Sequence, residues 1–248
     1  LLSINTGSVS STEGIKIENS SRCFFVKPIS LLVKNLSKID QIIKNKKSKI
    51  AIIGGGVASY ELAFSLSRRH KNNLEISIVG KNILNEKNLN KKTKKHKKKI
   101  SNHLGIKELL GEVISISETH LTLKNGDILK CDLSLLSSGA DIEAWLSNSN
   151  LDKDKNGFIS VDNNLLSTND KSVFVTGDAC SIENKFRPKS GVMAVRQGEI
   201  LKENIFLKLT GRSLVKFKPQ KNWLYLVGTY KNHALLNYFF LSFHGRWC

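Results

Sequence analysis

The chain has 248 residues, a formal net charge of +18 and four cysteines, which is enough length for one large or two modest domains. The cysteines lie far apart and form no C-x-x-C pair, so the sequence excludes a zinc ribbon and a redox dithiol of the local kind. The most apolar late run, residues 235 to 243, is about half the length that a helix needs to span a bilayer. We therefore expect a cytoplasmic protein in a reducing setting, and because the sequence begins at Leu1 rather than at a methionine, we expect it to be a fragment.

The first predicted elements are a strand and a helix. Residues 1 to 11 are typical of a strand that ends in a turn at Thr6 and Gly7, followed by small polar residues. A helix follows, because apolar side chains recur there at intervals of three and four residues. These apolar positions are Ile29, Leu32, Val33, Leu36, Ile39, Ile42 and Ile43.

The next segment predicts a βαβ unit with a glycine-rich turn. A short apolar strand, a helix and a second strand succeed one another over residues 50 to 79. After the first strand, Gly54, Gly56 and Ser59 follow the G-x-G-x-x-G/A pattern, with serine in the last place. The first glycine permits a tight turn, the second lets the backbone approach a pyrophosphate, and the small third residue packs helix on strand. We expect a dinucleotide at the helix N-terminus; the alternative is a glycine turn without a ligand.

The choice between NAD and NADP stays open on the sequence. An NAD site usually ends its second strand with a carboxylate that binds the ribose. Here that strand ends in Gly80 and Lys81, while Glu75 lies at its start. Lys81 suits a 2′-phosphate, so both nucleotides remain candidates.

Residues 91 to 99, "KKTKKHKKK", carry seven lysines. Such a run attracts nucleic acid or an anionic membrane face. No aromatic residue interleaves the lysines to stack on bases. We therefore expect a solvated loop and no specific nucleic-acid partner.

The second half of the chain predicts a small β meander, a buried strand and a long helix. The buried strand stops at Gly177 and Asp178, and the helix begins close to residue 191. An "NGD" hairpin turn joins the last two runs of the meander. These runs are residues 113–116, 121–123 and 128–136.

Two further patterns point away from metal or nucleophilic chemistry. Residues 152 to 163 match the start of an EF-hand loop, but Asn163 stands where a bidentate glutamate is needed, so we favour an Asp/Asn-Gly turn. The histidines show no ligand spacing, we predict no metal site, and no nucleophile with a nearby base can be named. An enzyme built from this chain needs cofactors to carry its chemistry.

Two stretches together resemble the pyridine nucleotide-disulfide oxidoreductase superfamily: the glycine turn at residues 54 to 59 and "VFVTGDAC" at residues 172 to 180. The stretches "INTGS" and "LLSSGADI" resemble the turns that open and close the nicotinamide domain in that superfamily. The NADH dehydrogenase-like branch of that superfamily is similar to two later stretches of this chain, "GFISVDNNLLSTNDKSVFVTGDAC" and "RPKSGVMAVRQGEILKENI". More narrowly, these stretches resemble the flavoprotein module associated with selenide, water dikinase. The resemblance implies an α/β fold with two Rossmann-like dinucleotide-binding domains.

The resemblance also implies which residues bind the two cofactors, FAD and NAD(P)H. Glu61 matches a family glutamate close to the nicotinamide and the flavin. The residues that match the NAD(P)H site are Gly54, Gly56, Ser59 and Gly139. The residues that match the FAD site are Thr6, Gly7, Gly177, Asp178, Lys189, Ser190 and Gly191.

The family's own FAD fingerprint is not among these residues, so the resemblance implies an incomplete FAD domain. The expected division is a remnant of the FAD domain with a linker helix, the NAD(P)H domain, the returning FAD domain and an incomplete C-terminal segment. These four parts are residues 1–46, 47–145, 146–212 and 213–248.

The implied activity is hydride transfer from NAD(P)H to FAD and onward to a small-molecule acceptor such as a quinone. Because no C-x-x-C pair is present, the resemblance implies direct transfer from the flavin rather than a dithiol relay. A homodimer and a peripheral membrane contact are further expectations. The alternatives are a truncated module without catalysis and the flavoprotein domain of a selenide, water dikinase fusion.

Overall fold

The computed structural model describes most of the chain in two compact units. Its described residues are 1–19, 21–44, 47–70, 73–83, 89–182, 189–220, 224–229, 232–238 and 240–246. The first unit joins Leu1–Ser11 with Ala140–Lys221, and the second joins Thr12–Gly139 with Asn222–Cys248.

The described residues form five α-helices and eighteen strands. The helices are α1 (Ile29–Lys44), α2 (Val57–His70), α3 (Lys91–His103), α4 (Ala144–Ser147) and α5 (Gly191–Leu209). The strands are β1 (Leu2–Ile4), β2 (Val9–Ser10), β3 (Lys16–Ile17), β4 (Cys23–Phe25), β5 (Ser48–Ile53), β6 (Leu74–Gly80), β7 (Lys107–Leu110), β8 (Val113–Ile116), β9 (His120–Leu123), β10 (Ile128–Lys130), β11 (Leu133–Leu136), β12 (Ala140–Asp141), β13 (Ile159–Val161), β14 (Val173–Val175), β15 (Cys180–Ile182), β16 (Leu224–Gly228), β17 (Ala234–Tyr238) and β18 (Leu241–Gly245).

A five-stranded parallel sheet in the order β4-β11-β5-β6-β7 forms the centre of the second unit. Apart from Lys49, the strands β5 and β11 are buried on both faces, which is typical of a parallel sheet covered on both sides. In β5, Ile50 and Ile52 belong to one hydrophobic cluster with the buried faces of α1, α2 and α3. Ala51 and Ile53 belong to another cluster with the meander strands. The predicted βαβ unit and the predicted helix over residues 29 to 43 are confirmed by β5, α2, β6 and α1.

The meander β10-β9-β8-β3 supplies the second cluster. The predicted hairpin is confirmed, because β9 and β10 pair in antiparallel fashion around Gly126 at φ +90°. The single strand predicted over residues 128 to 136 is wrong, since it divides into β10 of the meander and β11 of the parallel sheet. Asp132 makes the change of sheet: its carboxylate accepts from the Lys49 backbone N–H at 2.8 Å, and its own N–H donates to the Lys49 carbonyl at 2.7 Å.

The lysine run was predicted as a loop, and this prediction is wrong because residues 91–103 form α3. The Asn90 side chain caps the helix by accepting from the Thr93 N–H at 2.9 Å. Thr93, Lys97 and Ile100 lie on one buried face at helical spacing. Lys97 is only 3% exposed, and its ammonium donates to the Tyr60 hydroxyl at 3.2 Å and to the Glu108 carboxylate at 3.0 Å. A buried face made partly of polar residues gives no apolar period in the sequence, which is why the helix was missed.

A three-stranded antiparallel sheet, β16-β17-β18, follows in the second unit. Val227 and Leu235 belong to the same hydrophobic cluster as the three helices, and β17 and β18 contact α3. The Thr93 hydroxyl donates to the Asn237 side-chain oxygen at 2.9 Å. This sheet therefore packs against α2 and α3.

The first unit is built from short strand pairs around α5. β1 pairs with β14 in parallel, β13 with β15 in parallel, and β2 with β12 in antiparallel fashion. A 3₁₀ turn at Gly177–Ala179 follows β14 and contacts α5. Within the described residues, no helix is long and apolar enough to cross a membrane.

The two compact units are divided at other residues than the four parts expected from the sequence. Residues 12 to 44 lie in the second unit rather than with residues 1 to 11, because β4 pairs with β11 and the buried face of α1 joins the helix cluster. The described part of residues 222 to 248 also lies in the second unit.

Candidate functional site

The carboxyl ends of three adjacent strands meet at the predicted nucleotide turn. The register pairs Ile53 of β5 with Val79 of β6 on one side and with Leu136 of β11 on the other. The Gly54 N–H donates to the Val79 carbonyl at 2.7 Å, and the Ser137 N–H donates to the Ile53 carbonyl at 2.8 Å. Ligands of parallel α/β sheets bind at such carboxyl ends.

Backbone crowding requires glycine at the first two positions of the turn. Gly54 has φ +123°, and a Cβ there would lie 2.3 Å from the Ser137 carbonyl oxygen. A Cβ on Gly55 would lie 1.8 Å from the Asn82 carbonyl oxygen. Gly80, at the end of β6, is close-packed in the same way, with its Cβ position 2.7 Å from the Gly55 nitrogen. These glycines are needed for the fold itself.

Gly56 differs from its neighbours. A Cβ on Gly56 would meet no atom within 4 Å, and its φ lies outside the left-handed region. The fold therefore places no demand for glycine here. The open space lies directly before the first turn of α2, where backbone N–H groups and the helix dipole favour an anion. A bare backbone facing open space at a helix N-terminus fits the close approach of a pyrophosphate.

Ser59 fills the third position of the pattern and is fully buried in α2. Its N–H donates to the Gly56 carbonyl at 3.1 Å, which ties the helix to the turn. Its hydroxyl has no hydrogen-bond partner among the described residues. A small side chain at this point lets the helix pack closely on the sheet.

Gly139 lies just after β11, at the same edge of the sheet. It is two residues beyond Ser137, whose carbonyl faces Gly54. The second unit therefore brings the four residues expected at the NAD(P)H site to one edge: Gly54, Gly56, Ser59 and Gly139.

A cation and a carboxylate meet beside the end of β6: Lys81 follows β6, and Glu112 follows β7. Lys81 forms an ion pair with Glu112 at 2.9 Å, and Lys124 lies 3.3 Å from the same carboxyl group. Hydrogen bonding to Lys81 holds the pKa of Glu112 below its usual value. Glu75 instead pairs with Lys47 at 3.0 Å, at the start of the strand.

Sequence reasoning missed Glu112 as a neighbour of the β6 end. Its position depends on the β6–β7 pairing, and the Gly111 N–H donates to the Gly80 carbonyl at 3.1 Å. The pairing of β6 with β7 is a long-range contact, so no local signal could have identified this carboxylate.

Glu61 lies in the second turn of α2. Its carboxylate accepts a hydrogen bond from the Gly228 N–H at 2.9 Å, so it joins α2 to β16. The structure therefore gives Glu61 a partner in the C-terminal sheet, and its expected role near the nicotinamide stays a prediction.

In the first unit, side chains hold the turn after β14. Gly177 has φ +70°, and its N–H donates to the Gln197 side-chain oxygen at 2.6 Å. The Ser8 hydroxyl donates to the Asp178 carboxylate at 2.9 Å. Ser8 follows the turn at Thr6 and Gly7, where Gly7 has φ +81°. Four residues of this region, Ser8, Gly177, Asp178 and Gln197, thus come together from positions far apart in the chain, and sequence reasoning missed Ser8 and Gln197.

The remaining expected FAD residues surround the start of α5. Ser190 caps the helix by accepting from the Met193 N–H at 3.4 Å. The Lys189 ammonium donates to the Cys180 carbonyl and lies 3.6 Å from the centre of the Phe158 ring. A Cβ on Gly191 would meet no atom within 4 Å. An open helix N-terminus beside a cation suits a ring that gains negative charge.

Cys23, Cys131 and Cys180 are buried and form no disulfide among the described residues. Burial raises the pKa of Cys131 to about 12 and that of Cys180 to about 11. Burial raises the pKa of Cys23 as well. These three thiols therefore stay protonated at neutral pH, and a protonated thiol is a poor nucleophile.

The segment that resembled the start of an EF-hand loop forms a turn. The Asp154 carboxylate accepts from the N–H groups of Asn156 and Phe158 at 2.9 and 3.0 Å, and Gly157 has φ +86°. In the part of the chain that the structure describes, no group of three His, Cys, Asp or Glu side chains is placed to hold a metal ion.

Three solved structures share the fold. A water-forming NADH oxidase from Lactobacillus brevis, determined bound to NADH, has a TM-score of 0.73 at 18% identity, over 96% of this chain and 51% of that one. An NAD-dependent persulfide reductase from A. fulgidus has a TM-score of 0.73 at 18% identity, over 95% of this chain and 43% of that one. An FAD-dependent pyridine nucleotide-disulphide oxidoreductase from Desulfovibrio vulgaris has a TM-score of 0.63 at 19% identity, over 96% of this chain and 59% of that one.

The chain therefore spans about half the length of these solved structures. No individually curated protein matches it. Residues 6–198 match the family described as pyridine nucleotide-disulphide oxidoreductase. The α/β, Rossmann-like fold and the family expected from the sequence are both confirmed. The chain belongs to the pyridine nucleotide-disulphide oxidoreductase family.

Proposed function

We propose that the chain is part of a flavin-dependent oxidoreductase that takes hydride from NAD(P)H. The reaction is NAD(P)H plus FAD plus a proton, giving NAD(P)⁺ and reduced FAD, and the two electrons then pass to a small-molecule acceptor such as a quinone. The cofactors supply the redox chemistry, and the protein supplies binding, orientation and electrostatics.

The observation that carries the proposal is the open space at Gly56. Glycines 54, 55 and 80 are explained by backbone crowding, but Gly56 is not. Its position before α2 suits a pyrophosphate, and the family is one of pyridine nucleotide enzymes. The turn would then hold the phosphates, with the exposed Gly139 at the adjoining strand end.

In the first unit, we assign the FAD contacts to the side chains around β14 and α5. Asp178 accepts a hydrogen bond from Ser8, so its carboxylate is fixed in position and can accept another from a sugar-like hydroxyl. Lys189, Ser190 and Gly191 place a cation and a helix N-terminus where negative charge is stabilised.

No thiol of the described chain is suited to relay the electrons. The three described cysteines are buried, and their pKa values are raised by burial. This supports an acceptor that reacts directly with the reduced flavin.

The first test is nucleotide binding by the purified chain, measured by titration with NADH and with NADPH. Gly56→Ala fills the open space, and we expect it to weaken binding roughly tenfold, which corresponds to about 1.4 kcal/mol. Gly198→Ala is the matched control, because Gly198 is exposed in α5 and a Cβ there meets no atom within 4 Å. Failure of both nucleotides to bind, or equal affinity for wild type and Gly56→Ala, contradicts the proposal.

The second test is electron transfer. The chain is mixed with FAD without oxygen, and loss of the oxidised-flavin absorbance is followed after NADH or NADPH is added. We expect the wild type to accelerate this loss over free FAD and Gly56→Ala to be slower. An acceleration that Gly56→Ala leaves unchanged contradicts the assignment of the hydride donor to this turn.

A further inference from the structure

The segment that follows β6 touches the glycine turn on both sides of Lys81. A Cβ on Gly80 would lie 2.7 Å from the Gly55 nitrogen, and a Cβ on Gly55 would lie 1.8 Å from the Asn82 carbonyl oxygen. Lys81 stands between these two contacts in the chain. In dinucleotide-binding folds this strand end lies beside the adenosine ribose, where a carboxylate binds the 2′-hydroxyl of NAD or a basic side chain binds the 2′-phosphate of NADP. The charges at the end of β6 therefore bear on the choice of nucleotide.

Two cations and one carboxylate meet at this place. Lys81 lies 2.9 Å from one carboxylate oxygen of Glu112, and Lys124 lies 3.3 Å from the other. The backbone N–H of Lys124 also donates to the Glu112 carbonyl at 2.8 Å, so the main chain holds these two residues side by side. Two lysines against one glutamate leave an excess of positive charge.

The carboxylate is occupied, whereas the cations keep binding capacity. Each oxygen of Glu112 already faces one ammonium group, and the Glu112 side chain is 30% exposed. The side chains of Lys81 and Lys124 are 67 and 70% exposed. An ammonium group has three N–H donors, and a contact with one carboxylate oxygen uses only one of them. Both lysines can therefore bind a phosphate oxygen without leaving Glu112.

The other acids of these strands are paired elsewhere. Glu75 pairs with Lys47 at 3.0 Å at the start of β6, and Glu108 of β7 pairs with the buried Lys97 at 3.0 Å. Within β5, β6, β7 and the described residues that directly follow them, Glu112 is therefore the one carboxylate at the end where the turn lies. A ribose diol would have to share a carboxylate that two cations occupy, whereas a 2′-phosphate meets two exposed cations.

We propose that Lys81 and Lys124 make the chain select NADPH over NADH by binding the 2′-phosphate, while Glu112 holds the two ammonium groups in position. This inference rests on the proposed function, because it concerns the nucleotide whose pyrophosphate binds at the glycine turn. A phosphate monoester carries about two negative charges near neutral pH. Its hydrogen bonds to ammonium groups are stronger than those between a ribose hydroxyl and a neutral partner.

The first test is titration of the full chain with NADPH and NADH, measured by calorimetry. We expect NADPH to bind roughly tenfold more tightly, which corresponds to about 1.4 kcal/mol. Adenosine 2′,5′-bisphosphate and adenosine 5′-monophosphate isolate the contact, since they differ only in the 2′-phosphate, and we expect the same preference for the bisphosphate. Raising the ionic strength from about 0.05 M to about 0.5 M should reduce this preference, because salt screens exposed charges.

The second test removes the two cations. Lys81→Gln should weaken NADPH binding roughly tenfold and leave NADH binding unchanged within about twofold, and Lys124→Gln should act in the same direction with a smaller effect. The double variant should bind both nucleotides equally. Lys130→Gln is the matched control, because Lys130 is an exposed lysine of β10 in the same unit; both affinities should equal those of the wild type.

Glu112→Gln distinguishes a residue that positions the lysines from one that binds the ribose. The amide keeps an oxygen that accepts from a lysine and removes the negative charge beside the phosphate. We expect NADPH to bind roughly threefold more tightly and NADH to be unaffected. Glu118→Gln is the control, since Glu118 is another exposed glutamate in an ion pair, with Arg22 at 3.3 Å. Circular dichroism during thermal unfolding verifies that each variant keeps the fold.

The outcomes separate this inference from the proposed function. Equal affinity for both nucleotides, or tighter binding of NADH, overturns the inference and leaves the proposed function standing. A preference for NADPH that Lys81→Gln and Lys124→Gln leave unchanged also overturns it, as does a loss of NADH binding in Glu112→Gln. Failure of both nucleotides to bind overturns the proposed function and this inference together.

Discussion

Each of the two units contains a glycine turn that directly follows a buried parallel strand. The two turns are held in place in different ways. After β5, the backbone itself is crowded: Gly54 and Gly55 face carbonyl oxygens of neighbouring segments at distances that exclude a Cβ. After β14, the Cβ position of Gly177 meets nothing closer than 3.7 Å, and the turn is fixed by the side chains of Gln197 and Ser8. The first turn is specified by a contiguous run of glycines, whereas the second depends on side chains that are distant in sequence.

This difference matters for function because the two turns are assigned to different cofactors. A crowded backbone turn presents N–H groups to an anion with little freedom to move, which suits a pyrophosphate. A turn held by side chains presents a carboxylate, Asp178, in a fixed position. Substitutions should therefore affect the two turns very differently.

The largest effect is expected for Gly55→Ala. A Cβ 1.8 Å from the Asn82 carbonyl oxygen forces the backbone to move, and overpacking with backbone strain costs about 3 kcal/mol or more. Gly177→Ala, by comparison, meets only the strain of φ +70° and should cost about 1 kcal/mol. Urea unfolding of both variants measures the contrast, and equal losses would show that the two turns are not held differently.

A loss of about 2 to 3 kcal/mol is expected for Lys97→Met, which removes the ion pair behind the first turn. The ammonium of Lys97 joins Tyr60 of α2 to Glu108 of β7, and breaking a buried pair is strongly destabilising. The expected loss of unfolding free energy lies below that of a fully buried ion pair, because the Glu108 side chain is about a quarter exposed. Lys98→Met, on the exposed side of the same helix, should change the free energy of unfolding by less than about 0.5 kcal/mol. Similar values for the two variants would contradict the described burial of Lys97.

For the second turn, Gln197→Ala should cost about 2 kcal/mol. It leaves the Gly177 N–H and the Cys180 thiol without their shared partner, and an unsatisfied buried donor costs about 1 to 3 kcal/mol. Gln41→Ala, at an exposed position of α1, is the control and should be nearly neutral. Chemical denaturation monitored by circular dichroism gives both values; a neutral Gln197→Ala would mean that the turn does not depend on this side chain.

Next to the second turn, Gly198→Ala should stabilise the protein by about 1 kcal/mol. Gly198 lies inside α5, one residue after Gln197, and a Cβ there has open space. Alanine is the better helix former by about that amount. Thermal unfolding should therefore show a raised midpoint, and a lowered midpoint would indicate that the space beside α5 is filled.

The smallest expected effect is a pH dependence of the free energy of unfolding that comes from His244 in the second unit. Burial, then the neighbouring His233, His96 and Lys99, lowers the pKa of His244 below its ordinary value. The unfolded chain therefore takes up a proton at His244 more readily than the folded chain, so stability is full above about pH 6.5 and falls as the pH drops below it. The loss should stay under about 1 kcal/mol because the ring is partly solvated. His244→Gln should reduce this slope between pH 7 and pH 5, and an unchanged slope would exclude His244 as its source.

How far the sequence predicts these features depends on the range of the interactions. The turn from Gly54 to Ser59 was predictable because its glycines, strand and helix are contiguous. Gln197 and Ser8 were not, because they reach Gly177 and Asp178 through tertiary contacts. The lysine helix was missed for the same reason: Lys97 is buried through contacts with Tyr60 and Glu108.

The most direct measurement is hydrogen–deuterium exchange of the full chain with and without NADH or NADPH. If the first turn binds the nucleotide pyrophosphate, exchange should slow in peptides that contain Gly54 to Ser59 and stay unchanged in peptides that contain Gly177 to Cys180. At a nucleotide concentration close to the wild-type Kd, Gly56→Ala should remove most of the slowing, because its affinity is expected to be roughly tenfold weaker. No slowing at residues 54 to 59 with either nucleotide, or slowing that Gly56→Ala leaves intact, would contradict the account.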